Sequence, residues 1–209
     1  MRKPVAAILF VLFSLLSITG VKSQDFPSEM WHEGKLVTVD EDTLKGELKY
    51  DLQGDVVQVN TGKVLKTFHS RKVLYFEIFD KTVDGYRFFY SLPYGLQSSY
   101  EVPVLFEVLF EGKLTLLCRE QIVTENATSQ YGGAYSQPTL SYSRTRLAYT
   151  YYFLNHTGDI NIYNLKKREL LDFFGKYSHQ VSQYMKKNSL KHDRMRDLVR
   201  ITAYYNALL

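Results

Sequence analysis

Two periodicities divide the chain. From Gly34 to about Tyr163, short runs rich in Val, Leu, Phe and Tyr alternate with polar residues at period two, the signature of strands with one buried face. Leu44, Leu48 and Tyr50 alternate with Lys45, Glu47 and Lys49. Leu114, Leu116, Cys118 and Ile122 alternate with Lys113, Thr115, Arg119 and Gln121. The runs Val73–Phe79 and Leu147–Leu154 are apolar on both faces, which predicts central strands. Between the runs stand residues that tolerate positive φ: Gln53-Gly54, Thr61-Gly62, Asp84-Gly85, Glu111-Gly112 and Thr157-Gly158. About nine or ten strands in hairpin order follow, and hairpins favour antiparallel pairing over crossover units.

After Asn164 the period becomes 3.6. Asn164 is placed to cap a helix carrying Leu170, Leu171 and Phe174, with Gly175 as its stop. A second helix puts Val181, Tyr184 and Met185 on one stripe, and a third carries Met195, Leu198, Val199, Thr202 and Tyr205. Such stripes need a surface to cover, and an isolated unit of about 45 residues is marginally stable. The expectation is one α+β domain: an antiparallel, meander or barrel-like body over 24–163, with basic C-terminal helices over 164–209 packed on it. Residues 126–146 interrupt the strand pattern as a Tyr/Ser/Gly loop.

The 209 residues are 45% hydrophobic and 15% aromatic, a composition that excludes a disordered or collagen-like chain. A single cysteine excludes a disulfide-built fold. The N-terminus has the order of an export signal: Arg2 and Lys3, an apolar run from Val5 to Ile18, then Val21 and Ser23 at the −3 and −1 positions of a cleavage site. The run of about 14 residues is short for a membrane span, which needs ~20. The expected signal peptide is therefore 1–23, with Gln24 first in the mature chain and an uncleaved anchor as the alternative. No cysteine near that site supports a lipoprotein anchor. The expected destination is the periplasm, the outer-membrane periphery or the exterior.

Charge is informative only when divided. The formal +4 comprises +3 from the export segment, −5 from Gln24–Tyr163 (13 basic against 18 acidic residues) and +6 from Asn164–Leu209 (10 against 4). The overall basicity is thus no argument for nucleic-acid binding. The polarity inside the mature chain reads either as intramolecular complementarity between tail and body with solvated helix faces, or as contact between the helical tail and anionic envelope material through Lys186, Lys187, Lys191 and Arg194.

Candidate chemistry is sparse. Cys118 lies on the apolar face of its strand, where a thiol is buried and inert. His32, His69, His156, His179 and His192 are scattered without metal-ligand spacing, so neither a metal nor a cofactor is expected. Asp40-Glu41-Asp42 reads as a turn. No nucleophile-elbow, P-loop or dinucleotide fingerprint occurs. Asn126-Ala127-Thr128 and Asn155-His156-Thr157 match the glycosylation acceptor pattern, which matters only in a eukaryotic secretory chain. Tyr131, Tyr135 and Tyr142, set among Gly and Ser, have the composition of a recognition loop, since Tyr offers large contact area at little entropy cost.

The segments Gly46-Glu47-Leu48-Lys49-Tyr50-Asp51 and Asp55-Val56-Val57-Gln58-Val59 resemble secreted β-rich proteins of Bacteroidota-type bacteria that have no known function. So do the hairpin Phe106–Leu114 and the ending Tyr204-Tyr205-Asn206. The resemblance implies an exported bacterial protein with a strand-rich body and a helical C-terminus, and it assigns no functional residues. The reading is a non-enzymatic envelope module whose partners are envelope components or another exported protein. The alternatives are a carrier of an apolar ligand in a barrel-like cavity and, third, an enzyme whose site is not legible in the sequence.

Overall fold

The computed structural model describes residues 26–95, 100–129 and 140–209, with backbone alone at 127–129 and 140–142. The expected export segment and Tyr131 and Tyr135 lie outside the described residues. Ten strands form one antiparallel sheet: β1 (His32–Thr38), β2 (Thr43–Asp51), β3 (Val56–Asn60), β4 (Leu65–His69), β5 (Val73–Asp80), β6 (Gly85–Tyr94), β7 (Val102–Phe110), β8 (Thr115–Ser129), β9 (Leu140–Leu154) and β10 (Ile160–Tyr163). Three helices follow: α1 (Lys167–Phe173), α2 (Ser178–Lys187) and α3 (Met195–Ala207). The protein is therefore an α+β, β-rich fold. All five glycine turns read from the sequence join consecutive strands.

The order across the sheet is β10-β9-β8-β7-β6-β5-β1-β2-β3-β4. One neighbouring pair departs from hairpin order: β5 lies against β1, not β4. The side chains explain it. β5 brings Phe76 and Ile78, both fully buried, into register with Leu36 and Gly34. β4 is almost wholly exposed and carries Lys66, which suits an edge.

One face of the sheet is concave and filled. On β1–β3, β5 and β6 it carries Leu36, Leu48, Tyr50, Val57, Val59, Phe76, Ile78 and Phe89 as one cluster. Farther along, the same face carries Leu116, Cys118, Tyr151 and Phe153 and is covered by the helices through Leu170, Phe174, Val181, Met185, Leu198 and Ile201. A smaller cluster of Val104, Phe106, Leu117 and Tyr152 backs it on the opposite face. The curl is steep. The Tyr50 hydroxyl on β2 reaches Glu120 on β8 at 2.5 Å although four strands separate them in the sheet.

Two local expectations change. Lys166, not Asn164, occupies the N-cap of α1, and the Asn164 amide and backbone N–H donate to the Glu169 carboxylate instead. Gly175 does end the helix, at φ +49°. Of the loop expected over 126–146, residues 126–129 and 140–146 are strand instead, paired from Asn126↔Ser143 to Ser129↔Leu140, and 130–139 lie outside the described residues. Tyr142 stands in β9 opposite Ala127. Beyond Ile122, β8 pairs with β9 alone among the described residues, so these ends of the two strands form a two-stranded ribbon.

Candidate functional site

The sheet's interior holds a polar centre that alternation alone did not reveal. Arg87, in a β6 run otherwise rich in Phe and Tyr, points into the concave face beside Phe89. Its Nε and Nη2 donate to the two Glu107 oxygens at 2.8 and 2.7 Å. Nη2 also donates to Glu120 at 2.9 Å, and Nη1 donates to Asp80 at 3.0 Å and to the Tyr50 hydroxyl at 2.7 Å. Tyr50 in turn donates to Glu120. Asp80, Glu107 and Glu120 are all buried.

Burial disfavours charge on the Arg87 guanidinium, but the Glu107 bonds and surrounding acids outweigh it and push its pKa upward. Burial pushes the Tyr50 phenol upward as well, so it remains a donor. Burial opposes the ionisation of Asp80, yet hydrogen bonds from Thr82 and Arg87 hold its carboxyl below the usual range. The Cys118 thiol, fully buried beside Glu107 and Glu120, is raised first by burial and then by those carboxyls. With its guanidinium already spent on protein groups and its thiol held protonated, this centre is suited to holding the curl of the sheet rather than to receiving a substrate.

A second arginine closes the seam. β7 and β8 are in register at Glu107↔Cys118, but toward Leu105 their ladder ends, and the β2–β3 turn takes the free backbone of β7. Asp55 accepts from the Leu105 N–H at 2.8 Å, and Arg119 Nη1 donates to Asp55 and to the Leu105 carbonyl at 2.8 and 2.7 Å. Arg119 Nη2 donates to the Leu52 carbonyl. These residues were not singled out in the sequence. The usable signal was a charge placed where alternation demands an apolar side chain, as with Arg87 and Glu107.

The cationic candidates lie on the helices. Lys186 and Lys187 end α2, where cations also complement the helix dipole. Lys191 and Arg194 lie in the α2–α3 connection, and all four are exposed. Lys186 and Lys191 come together in a groove of about 500 Å³ that Lys167, Ser182, Ser189, His192 and the carboxylate of Asp193 also line. Lys187 and Arg194 fall outside it. Among the described residues, none of the ten basic side chains from Lys166 to Arg200 has a carboxylate within 4.0 Å. The floor of the groove is fixed: the Tyr163 hydroxyl lies 3.0 Å from His192 Nδ1 and 3.2 Å from its carbonyl, and the Leu190 N–H donates to the Met185 carbonyl at 2.9 Å.

The sequon at Asn155 is absorbed by turn chemistry, since its side-chain oxygen accepts from the Thr157 and Asp159 backbone N–H groups. Among the described residues, no three His, Cys, Asp or Glu side chains are grouped to hold a metal, and no helix is long and apolar enough to cross a membrane. Comparison with known protein families, with curated proteins and with solved structures finds no match for this chain.

Proposed function

We propose that the protein is an exported, non-enzymatic module of a bacterial envelope that docks an anionic partner on the cationic face of its C-terminal helices. The observation that carries this reading is the lack of internal partners for the tail's charge. Eighteen acids on the body and ten bases on the tail invite mutual pairing, yet the tail cations stand in solvent. A surface where ten cations outnumber four acids, with a groove that three lysines and Asp193 line, carries a net positive potential that attracts lipid headgroups, acidic polysaccharide or an acidic protein.

The carrier reading has less support, because the concave face that would hold an apolar ligand is filled by Tyr50, Phe76 and Phe89, whose rings pack 4.4 to 6.1 Å apart. Co-sedimentation with phosphatidylglycerol and with phosphatidylcholine vesicles at low salt tests the proposal, with polygalacturonate as a competing polysaccharide. Binding to the anionic vesicles or the polyanion is expected, weakened about a hundredfold or more when Lys186, Lys187, Lys191 and Arg194 are all changed to Gln. Undiminished binding by that variant, or equal binding to both vesicle types, overturns it.

A further inference from the structure

The convex face of β1, β2, β5 and β6 carries a second surface, remote in sequence from the helices. Its centre is a shallow groove of about 890 Å³ whose floor is two glycines, Gly34 and Gly46, directly opposite each other across β1 and β2. On either side of this bare step the register opposes like charges: Glu33 faces Glu47, and Lys35 faces Lys45. Like charges directly opposed across a pair are unfavourable, and a sheet normally crosses them.

The register has no freedom to do so, because the same strands bury Leu36 and Leu48 on the other face, and a one-residue slip inverts both faces. Relief is partial. Lys35 pairs with Glu77 at 3.1 Å, and Glu47 accepts from Asn60 at 3.4 Å, whereas Glu33 and Lys45 have no side-chain partner among the described residues. Conflicts between local chemistry and global fold concentrate at functional sites.

One end of the groove is aromatic. Tyr86 is 65% exposed and meets Phe79 edge-on at 5.2 Å, and Phe88 follows on the same face of β6 at 41% exposed. We propose that this groove binds a neutral oligosaccharide. Tyr86 and Phe79 offer plates for the apolar face of a pyranose ring, and Glu33, Glu47, Lys45 and Asn60 offer acceptors and donors to its hydroxyls.

The balance of charge argues for a neutral ligand. Three carboxylates repel a polyanion, two ammonium groups repel a cationic peptide, and a lining this polar rejects a purely apolar guest. Between the charged rows the backbone at Gly34 and Gly46 is bare on this face, so a ring can lie against it.

Isothermal titration calorimetry of the full chain with cellohexaose, chitohexaose and maltohexaose tests this. At least one is expected to bind, with affinity falling at least about tenfold in Tyr86→Ala and in Glu33→Gln, both exposed positions where the melting temperature is expected to hold. Binding of the same sugar by the variant with four Gln substitutions on the helices is expected to be unchanged, and Tyr86→Ala is expected to retain vesicle binding. No heat from any of the three sugars at millimolar concentration overturns the proposal. So do equal affinity in Tyr86→Ala, loss of vesicle binding in that variant, or its conversion of a dimer to a monomer in sedimentation velocity, which would assign the face to lipid or to a second copy.

Discussion

At the scale of single residues, the stability of the curled sheet converges on Arg87. Five donor contacts to four side chains from β2, β5, β7 and β8 leave it no spare N–H, and removing it would leave three buried carboxyls facing one another. Breaking such a centre by deleting one partner costs about 3–5 kcal/mol, far more than an exposed pair is worth. Arg87→Met is therefore expected to lose about that much in urea unfolding, whereas Arg146→Met, whose bridge to Glu125 is solvent-exposed, is expected to lose less than about 1 kcal/mol. The same centre sets an acid response. Because the folded-state pKa of Asp80 is depressed, its contribution is present above the ordinary carboxylate range and lost as pH falls through the depressed value. Melting temperature is expected to drop as pH falls below about 4, and Asp80→Asn is expected to be less stable at neutral pH but to show a shallower acid slope.

At the scale of elements, two close approaches determine how the sheet bends and how the tail attaches. A Cβ on Gly34 would lie 2.1 Å from the Glu77 carbonyl oxygen, and one on Gly46 would lie 2.2 Å from the Asn60 oxygen, so both neighbours are rigid backbone. Gly34→Ala is expected to cost about 1–3 kcal/mol or more through displaced strands, with the loss read as a lower urea midpoint. At the other end, Asn206 on α3 imitates a strand partner: its side chain accepts from the Leu114 N–H at 3.1 Å and donates to the Leu114 carbonyl at 2.9 Å. Asn206→Ala is expected to cost about 1–3 kcal/mol, because both backbone groups lose their partner.

Much of this architecture was legible in the sequence. Period-two runs with glycine turns delimit the strands, and the Val181–Met185 and Met195–Tyr205 stripes delimit the helices, because burial of one face imposes those periods. The pairing of β5 with β1 was not legible, since it depends on which strands bury the most apolar surface rather than on any local signal. Nor was the Arg87 centre, whose members are spread from Tyr50 to Glu120 and meet only through the curl. The cationic tail was legible as charge, but its lack of internal partners was a matter of geometry.

At the scale of the whole molecule, stability and the proposed binding draw on different charges. The ion pairs that hold the fold, around Arg87 and Arg119, are buried or nearly so, and buried pairs are weakly screened by salt. The charges proposed to bind are exposed and unpaired, and their long-range attraction fades once the Debye length shrinks from about 14 Å near 0.05 M salt to a few ångströms at high salt. The helices are also part of the same core as the sheet, through Phe153, Phe174 and Leu198, so they do not melt ahead of it. Raising NaCl from about 0.05 to about 0.5 M is therefore expected to abolish binding to anionic vesicles while leaving the melting temperature within a few degrees, with helix and sheet signals falling in one transition. If instead salt lowered the melting temperature in step with binding, the tail cations would be holding the body's acids after all, and the exposed face would be a structural surface rather than a docking one.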